Sequence, residues 1–434
     1  MRVHVQKSAL SHTMQVPGSK SHTIRAVLLA TLAEGTSTII NPLASGDGIS
    51  ALNAAKSFGA EVQVYDDRWV IHGLQGKPKV PDTCIDTKNS GTTTCFFTSV
   101  AALVEGGYTV ITGDEQIRRR PLKALVDALN ELGATAFLTR SESTAPPVVI
   151  KGPLRGGKTT IQGFNSQYVS SLLLASPFSQ TSVDLFVENA LEKPYVQMTL
   201  DWMKKFGIDV LNPDDYSHFY IQGGQRYHSG TYTIAADWSA VAFPLVAASI
   251  TKSDLILTGL DFDDSQGDKR VIQILQDMGA HLVIDEKAGT LRVIGGTPLK
   301  GGMVIDMSDI PDALPALTVA ATQAQGRTVF TNLAHVRLKE TDRVLEMQQK
   351  LTHLGCDIQL QDDTLVVQGP TPIQSREVSS SFDHRIAMAL FCAGLSAEKG
   401  LVINDAECAS VSFPNFFESF QACGAHLHTE EALR

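Results

Sequence analysis

Met278-Gly279-Ala280-His281-Leu282-Val283-Ile284 is the stretch on which the fold turns. A helix-like segment from Val271 ends at Met278, a glycine turns the chain, and an apolar run sets out as a strand. A second strand-like run, Thr290-Leu291-Arg292-Val293-Ile294, follows it. The same phrase recurs at Phe58-Gly59-Ala60, Leu132-Gly133-Ala134, Phe206-Gly207-Ile208, Leu354-Gly355-Cys356 and Cys423-Gly424-Ala425. Successive glycines are separated by 74, 74, 72, 76 and 69 residues. One glycine behind a helix is ordinary, because the left-handed C-cap favours it anywhere. Six at a nearly constant period mark a repeated unit.

A second landmark falls once in each period, a polar cluster that opens a helix of small residues. These clusters are Ser19-Lys20-Ser21, Asn89-Ser90-Gly91, Asn165-Ser166-Gln167, Asp237-Trp238-Ser239, Pro311-Asp312-Ala313 and Asp383-His384-Arg385. Each unit then reads strand, helix, strand, helix, strand, strand. The period suits a compact α/β (α+β) unit better than a solenoid turn. Six βαβαββ repeats divide into two domains of three. We expect the first domain to span 16–235, and the second to combine 1–15 with 236–434. The opening strand, Arg2 to Gln6, is expected to pair within the second domain. Helix starts that face a shared interdomain cleft would suit a multiply anionic ligand.

The bulk composition narrows the function. The chain has 434 residues, 43% hydrophobic, and a formal net charge of −10. That sign argues against a nucleic-acid partner and makes local cationic clusters informative. Its six cysteines form no CxxC pair and no zinc-ligand spacing, so they read as reduced thiols of a cytoplasmic protein. There is no signal-peptide core, and no apolar run is long enough to span a membrane.

Within Pro17-Gly18-Ser19-Lys20-Ser21-His22-Thr23-Ile24-Arg25, Ser19 can cap the helix that Lys20 opens, with Gly35 as its stop. Ser21 and Arg25 lie four apart and project to one side. Dipole, ammonium and guanidinium together make an anion site. In Asn89-Ser90-Gly91-Thr92-Thr93-Thr94, small side chains let backbone amides approach a ligand. Arg118-Arg119-Arg120-Pro121 holds Arg120 against a proline that fixes the helix start. Gly152 to Thr159 fits the P-loop pattern, yet Thr160-Ile161-Gln162 continues as a strand rather than a helix, which excludes a phosphate-cradling loop. Lys339, Glu340 and Arg343 share neighbouring helix faces, and His384 and Arg385 stand in the first turn of an apolar helix. With Asp312 at its own helix start, acid/base groups lie beside several anion binders.

These segments, in this order and over essentially the full chain, resemble the enolpyruvyl transferases. The resemblance implies two domains of three βαβαββ units and a reaction that needs no metal or organic cofactor. It is strongest to the branch that joins phosphoenolpyruvate to the 5-hydroxyl of shikimate 3-phosphate through a tetrahedral adduct that expels phosphate. The enzyme is implied to be a monomer. Carried over by position, Lys20, Ser21, Arg25, Ser166, Gln167, Tyr195, Asp312 and Lys339 would hold shikimate 3-phosphate. Lys20, Gly91, Arg120, Arg343, His384 and Arg385 would hold phosphoenolpyruvate. Asp312 would take the hydroxyl proton, with Lys20 and Glu340 as proton-transfer partners and His384 in the catalytic set.

The sequence also departs from the family pattern. Val411 stands where a lysine usually meets phosphoenolpyruvate, a loss of about 1.5–3 kcal/mol and hence roughly tenfold or more in affinity. Cys95 replaces a common arginine, and His335 a common asparagine. Asn165 and Glu192 replace serines on the acceptor's phosphate side, where an ionised Glu192 would repel. Two alternatives therefore stay open: an enolpyruvyl transferase with another hydroxyl acceptor, or a binding protein that kept the fold. Retention of Asp312, Glu340 and His384 together speaks for catalysis.

Overall fold

The computed structural model describes residues 1–212 and 214–431. The landmark glycines adopt φ of 99° (Gly59), 89° (Gly133), 92° (Gly207), 89° (Gly279), 89° (Gly355) and 97° (Gly424). The residue after each one donates its N–H to the carbonyl five positions back. These bonds run Ala60 to Ala55, Ala134 to Leu129, Ile208 to Met203, Ala280 to Leu275, Cys356 to Leu351 and Ala425 to Phe420, at 2.8–3.1 Å. Each helix thus ends in the same glycine-dependent closure, which satisfies carbonyls the helix leaves over. The sequence reading places Gly35 in a like role, but that helix, Lys20–Leu32, stops earlier at an extended Ala33. Gly35 (φ 90°) instead turns the chain into strand Thr36–Ile40.

Among the described residues the strands form six small sheets. In one, Ile85–Asp86 runs parallel to Thr109–Thr112, which is antiparallel to Val148–Lys151, itself antiparallel to Thr135–Leu138. The same arrangement recurs around Thr36–Ile40, Asp254–Thr258, Gly326–Thr331 and Leu401–Asn404. Around Val183–Glu188 the sheet has three strands, and a single bridge between Leu211 and Tyr220 stands in the fourth place. In four of the six sheets the parallel strands are joined by a single crossover, and a buried helix supplies it. The P-loop-like stretch runs into one of these strands, Gly157–Gln162.

The chain divides into two compact units, 18–234 and 1–17 with 235–434. In the first, Thr231–Thr233 returns to pair with Thr36–Ile40 and completes the opening repeat. In the second, Arg2–Val5 lies between Leu401–Asn404 and Leu427–Glu430, antiparallel to both, and completes the last repeat. Ser11–Gln15 likewise supplies the parallel partner of Asp254–Thr258.

The helices fall into two kinds, as composition requires. Lys20–Leu32, Gly91–Ala101 and Ser166–Ala175 in one unit are buried almost all round. So are Trp238–Ile250, Leu314–Gln323 and His384–Ser396 in the other. Their Ala, Ser and Thr residues permit close approach, and their hydroxyls bond locally or across, as Ser171 Oγ does to the Cys95 carbonyl at 2.6 Å. The remaining long helices bury one stripe. Lys123–Glu131, for example, buries Leu125, Val126, Ala128 and Leu129 and exposes its charges. The polar clusters predicted from sequence sit at the inner helix starts. Ser19, Ser90, Asn165, Asp237 and Asp383 each accept a backbone N–H as the cap.

Candidate active site

In the unit 18–234, Lys20 is the first residue of a helix, where the dipole disfavours a cation. Its Nζ lies 3.4 Å from Oδ2 of Asp47, and both side chains are buried. Asp47 belongs to the first turn of helix Gly46–Ser57, where a carboxylate suits the dipole. The pair places a proton-bearing ammonium in a site that water hardly reaches.

Arg25, 2% exposed, is oriented on all sides. Its Nε donates to Thr199 Oγ1 at 2.8 Å, Nη1 to the Ser21 carbonyl at 3.0 Å, and Nη2 to the Tyr195 carbonyl at 2.9 Å. The guanidinium also lies over the Phe96 ring, 5.1 Å from its centroid. Ser21, Arg25 and Tyr195 are thereby held together through backbone carbonyls.

Two further helix starts in this unit meet each other. Gln167 Nε2 donates to Thr92 Oγ1 at 3.1 Å, and the Cys95 thiol donates to Gln167 Oε1 at 3.5 Å. A Cβ built on Gly91 would stand 2.3 Å from Arg120 Nη1, so the missing side chain is what admits the guanidinium. Burial pushes the Cys95 thiol up to about 12, against the opposing pull of Arg120. It stays protonated and neutral, and supplies none of the charge an arginine would. Ser166 offers both its N–H and its hydroxyl to one carboxylate oxygen, Oε2 of Glu192, at 3.2 and 2.6 Å.

The second unit gathers its groups around Arg343. Its Nε donates to Asp383 Oδ2 at 2.8 Å and Nη2 to Asp383 Oδ1 at 3.1 Å. Nη1 reaches Asp312 Oδ1 at 2.7 Å, and Nη2 also reaches Glu340 Oε2. Burial alone would lower the Arg343 pKa, but the carboxylates of Asp383, Glu340 and Asp312 outweigh it and hold the guanidinium firmly charged. Asp312 Oδ2 pairs in turn with Arg385 Nη2 at 3.0 Å. Arg385 donates to Ser239 Oγ at 3.0 Å, and that hydroxyl donates to Asp237 Oδ1 at 2.7 Å. Three inner-helix starts of this unit are thus joined by one chain of charge-assisted bonds.

The residues expected from sequence divide between the two units, and only some of them are seen in contact. In the first unit Ser21, Arg25 and Tyr195 are brought together, Gly91 adjoins Arg120 and Gln167, and Lys20 and Ser166 each meet a carboxylate of their own, Asp47 and Glu192. In the second, Asp312, Glu340 and Arg385 gather on Arg343 or its partner Asp312. His384 and Lys339 are chain neighbours of this cluster, next to Asp383, Arg385 and Glu340. His384 is buried at the start of its helix, and Lys339 is half-buried. Val411 is half-buried at the end of the turn Ala406–Val411. Sequence reasoning missed Asp47 and the positioning part of Asp383, Ser239 and Thr199. Asp47 left one usable signal, an acidic residue in the first turn after Ser45-Gly46. Thr199 left none, because its link to Arg25 spans 174 positions.

Known proteins resemble this chain over nearly its whole length. Residues 5–420 match the family model described as EPSP synthase (3-phosphoshikimate 1-carboxyvinyltransferase). A 3-phosphoshikimate 1-carboxyvinyltransferase of Acetivibrio thermocellus is 44% identical over 99% of this chain and 100% of its own. Its namesake from Methanococcus maripaludis is 36% identical over 95% of this chain and 96% of its own. Among solved structures, an EPSP synthase from Acinetobacter baumannii superimposes with a TM-score of 0.83 at 27% identity, covering 99% of this chain and 100% of that one. The enolpyruvyl transferase NikO from Streptomyces tendae shares the fold, with a TM-score of 0.79 at 16% identity over 98% of each chain.

Proposed function

As the chain belongs to the EPSP synthase (3-phosphoshikimate 1-carboxyvinyltransferase) family, we propose that it transfers the enolpyruvyl group of phosphoenolpyruvate to the 5-hydroxyl of shikimate 3-phosphate. Phosphate is released by addition and elimination through a tetrahedral adduct. This is a transferase of the shikimate pathway, and no helix among the described residues is long and apolar enough to cross a membrane. A cytoplasmic monomer is part of the proposal. So are the domain limits read from sequence, 16–235 and 1–15 with 236–434, which limited proteolysis would check.

The cluster of Asp312, Glu340, Arg343 and Arg385 carries this reading. Addition requires a proton to leave the 5-hydroxyl while another arrives at the methylene carbon of phosphoenolpyruvate. It also requires that phosphate and carboxylate charge be neutralised throughout. Asp312, ionised between two guanidiniums, serves as the base, and the arriving anion takes over Arg343 and Arg385 as it leaves them. Lys20 and Glu340 are assigned the proton transfers at the adduct carbon, and His384 joins the catalytic set. Arg343, Arg385, His384, Arg120, Gly91 and Lys20 receive phosphoenolpyruvate. Ser21, Arg25, Ser166, Gln167, Tyr195, Lys339, Asp312 and Lys20 receive shikimate 3-phosphate. The test is phosphate release from the purified protein given both substrates at millimolar concentration. No release, with Asp312→Ala indistinguishable from wild type, would sink it.

A further inference from the structure

Helix Ser166–Ala175 has ten residues and already carries a cap, because Asn165 Oδ1 accepts from Gln167 N at 3.0 Å. That bond satisfies the Gln167 N–H alone and leaves the buried Ser166 N–H in need of an acceptor. Glu192, only 2% exposed, takes that place and accepts both the Ser166 N–H and the Ser166 hydroxyl on one carboxylate oxygen. Its backbone is held at φ 53° and ψ 36°, the left-handed region that a non-glycine residue enters at a cost. The conformation also starts the helix Lys193–Lys205, whose third residue, Tyr195, presents its carbonyl to Arg25. An N–H, a hydroxyl and a helix dipole converging on one point make an oxyanion position. Here the oxyanion is the protein's own.

We propose that Glu192 is a built-in competitor for the Ser166 helix start, so that the acceptor's phosphate binds only in exchange for this carboxylate. The inference rests on the assignment of Ser166 and Gln167 to shikimate 3-phosphate made above. Two anions cannot share one donor pair: the incoming phosphate meets like charge until the Glu192 carboxylate gives way. The residue therefore sets how strongly the phosphate of the acceptor, as distinct from its ring and carboxylate, contributes to binding. It is a specificity-determining residue that favours weak, readily reversed capture of the phosphorylated acceptor.

The test compares wild type with Glu192→Ser and the isosteric Glu192→Gln, using calorimetric titration with shikimate 3-phosphate and, separately, with unphosphorylated shikimate. Both variants should bind shikimate 3-phosphate at least tenfold more tightly, with shikimate changed less than twofold. The KM for shikimate 3-phosphate should fall in step. Glu192→Gln keeps the side chain's shape and an acceptor oxygen for Ser166, so it covers the case in which Glu192→Ser does not fold. Equal or weaker binding of shikimate 3-phosphate by a folded variant overturns the inference, as does equal tightening for both ligands. If wild type and variants alike release no phosphate from phosphoenolpyruvate with shikimate 3-phosphate, the functional reading fails instead, and the two failures are thereby told apart.

Discussion

Arg343 and Asp383 meet as fork on fork, with Nε to Oδ2 at 2.8 Å and Nη2 to Oδ1 at 3.1 Å, and neither is exposed to solvent. Asp383 also caps helix His384–Ser396 through the Arg385 N–H at 2.9 Å. One carboxylate thus fixes both arginines, one by its side chain and the other by its backbone. Asp383→Ala should cost about 3–5 kcal/mol in denaturant unfolding, since it strands a buried guanidinium and removes a cap. A loss below about 1 kcal/mol would mean that Asp312 and Glu340 suffice to hold Arg343.

The contact between Gly91 and Arg120 gives a kinetic expectation. A methyl group at Gly91 would displace the guanidinium, with Arg120 Nη1 only 2.3 Å from the new carbon. Displacement of about 1 Å at a positioning residue can cost on the order of a hundredfold. Gly91→Ala should raise the KM for phosphoenolpyruvate tenfold or more in initial-rate measurements and leave the KM for shikimate 3-phosphate within threefold. An unaltered phosphoenolpyruvate KM would remove Arg120 from the site.

Val411 tests the same site from the other direction. A lysine there should lower the KM for phosphoenolpyruvate by roughly tenfold, the value of one charge-assisted contact. If the KM does not move, another cation already meets that part of the substrate.

The repeat glycines allow a test on stability alone. Gly279 has φ 89°, and a Cβ there would meet nothing within 4 Å. Gly279→Ala should therefore fold normally and lose only the conformational term, about 1–2 kcal/mol. Gly295, where a Cβ would lie 2.1 Å from the carbonyls of Ala248 and Thr251, should tolerate alanine far less well. Unfolding curves that rank the two the other way would contradict the assignment of the closure to backbone geometry.

Burial holds the thiols of Cys95, Cys356 and Cys408 up to about 12, so at pH 8 they remain protonated and unreactive. Cys84 is exposed. Because a raised pKa removes thiolate at every pH below it, iodoacetamide at pH 8 should modify Cys84 first. Glu192 and Arg120 would be untouched by such labelling, so activity should persist. Rapid labelling that survives both Cys84→Ser and replacement of the half-buried Cys408 would show that one of the buried thiols opens to solvent.

The repeat was legible because its signals are local. A positive-φ glycine behind each helix and a capping side chain before the next are chemical needs of three or four adjacent residues, and they recur in the letters themselves. The same holds for Lys20, Asp312 and Arg385, which stand at helix starts. What the letters concealed is long-range. Thr199 is a helix-interior threonine until Arg25 is seen on it, and Ser239 is a cap residue until Arg385 reaches it. Glu192 was legible as a misplaced charge, but only its contact with Ser166 shows where that charge goes. The stop of the first helix was misread at Gly35 because a left-handed glycine serves a strand turn as well as a helix end.

Strand Arg2–Val5 carries a consequence for how the protein is made. It leaves the ribosome well before its partners, since Val3 pairs with Ile403 and Val5 with Leu427. At about 5–20 residues per second, a separation of roughly 400 residues corresponds to about 20–80 s of synthesis. Within that interval residues 18–234, which hold the strands of their own three repeats, are completed, while the strands that Val3 and Val5 pair with are still to be made. Ser11–Gln15 waits too, for Asp254–Thr258. The order of pairing thus departs from the order of translation: a strand made before residues 18–234 finds its hydrogen-bond partners only after residue 401 is made.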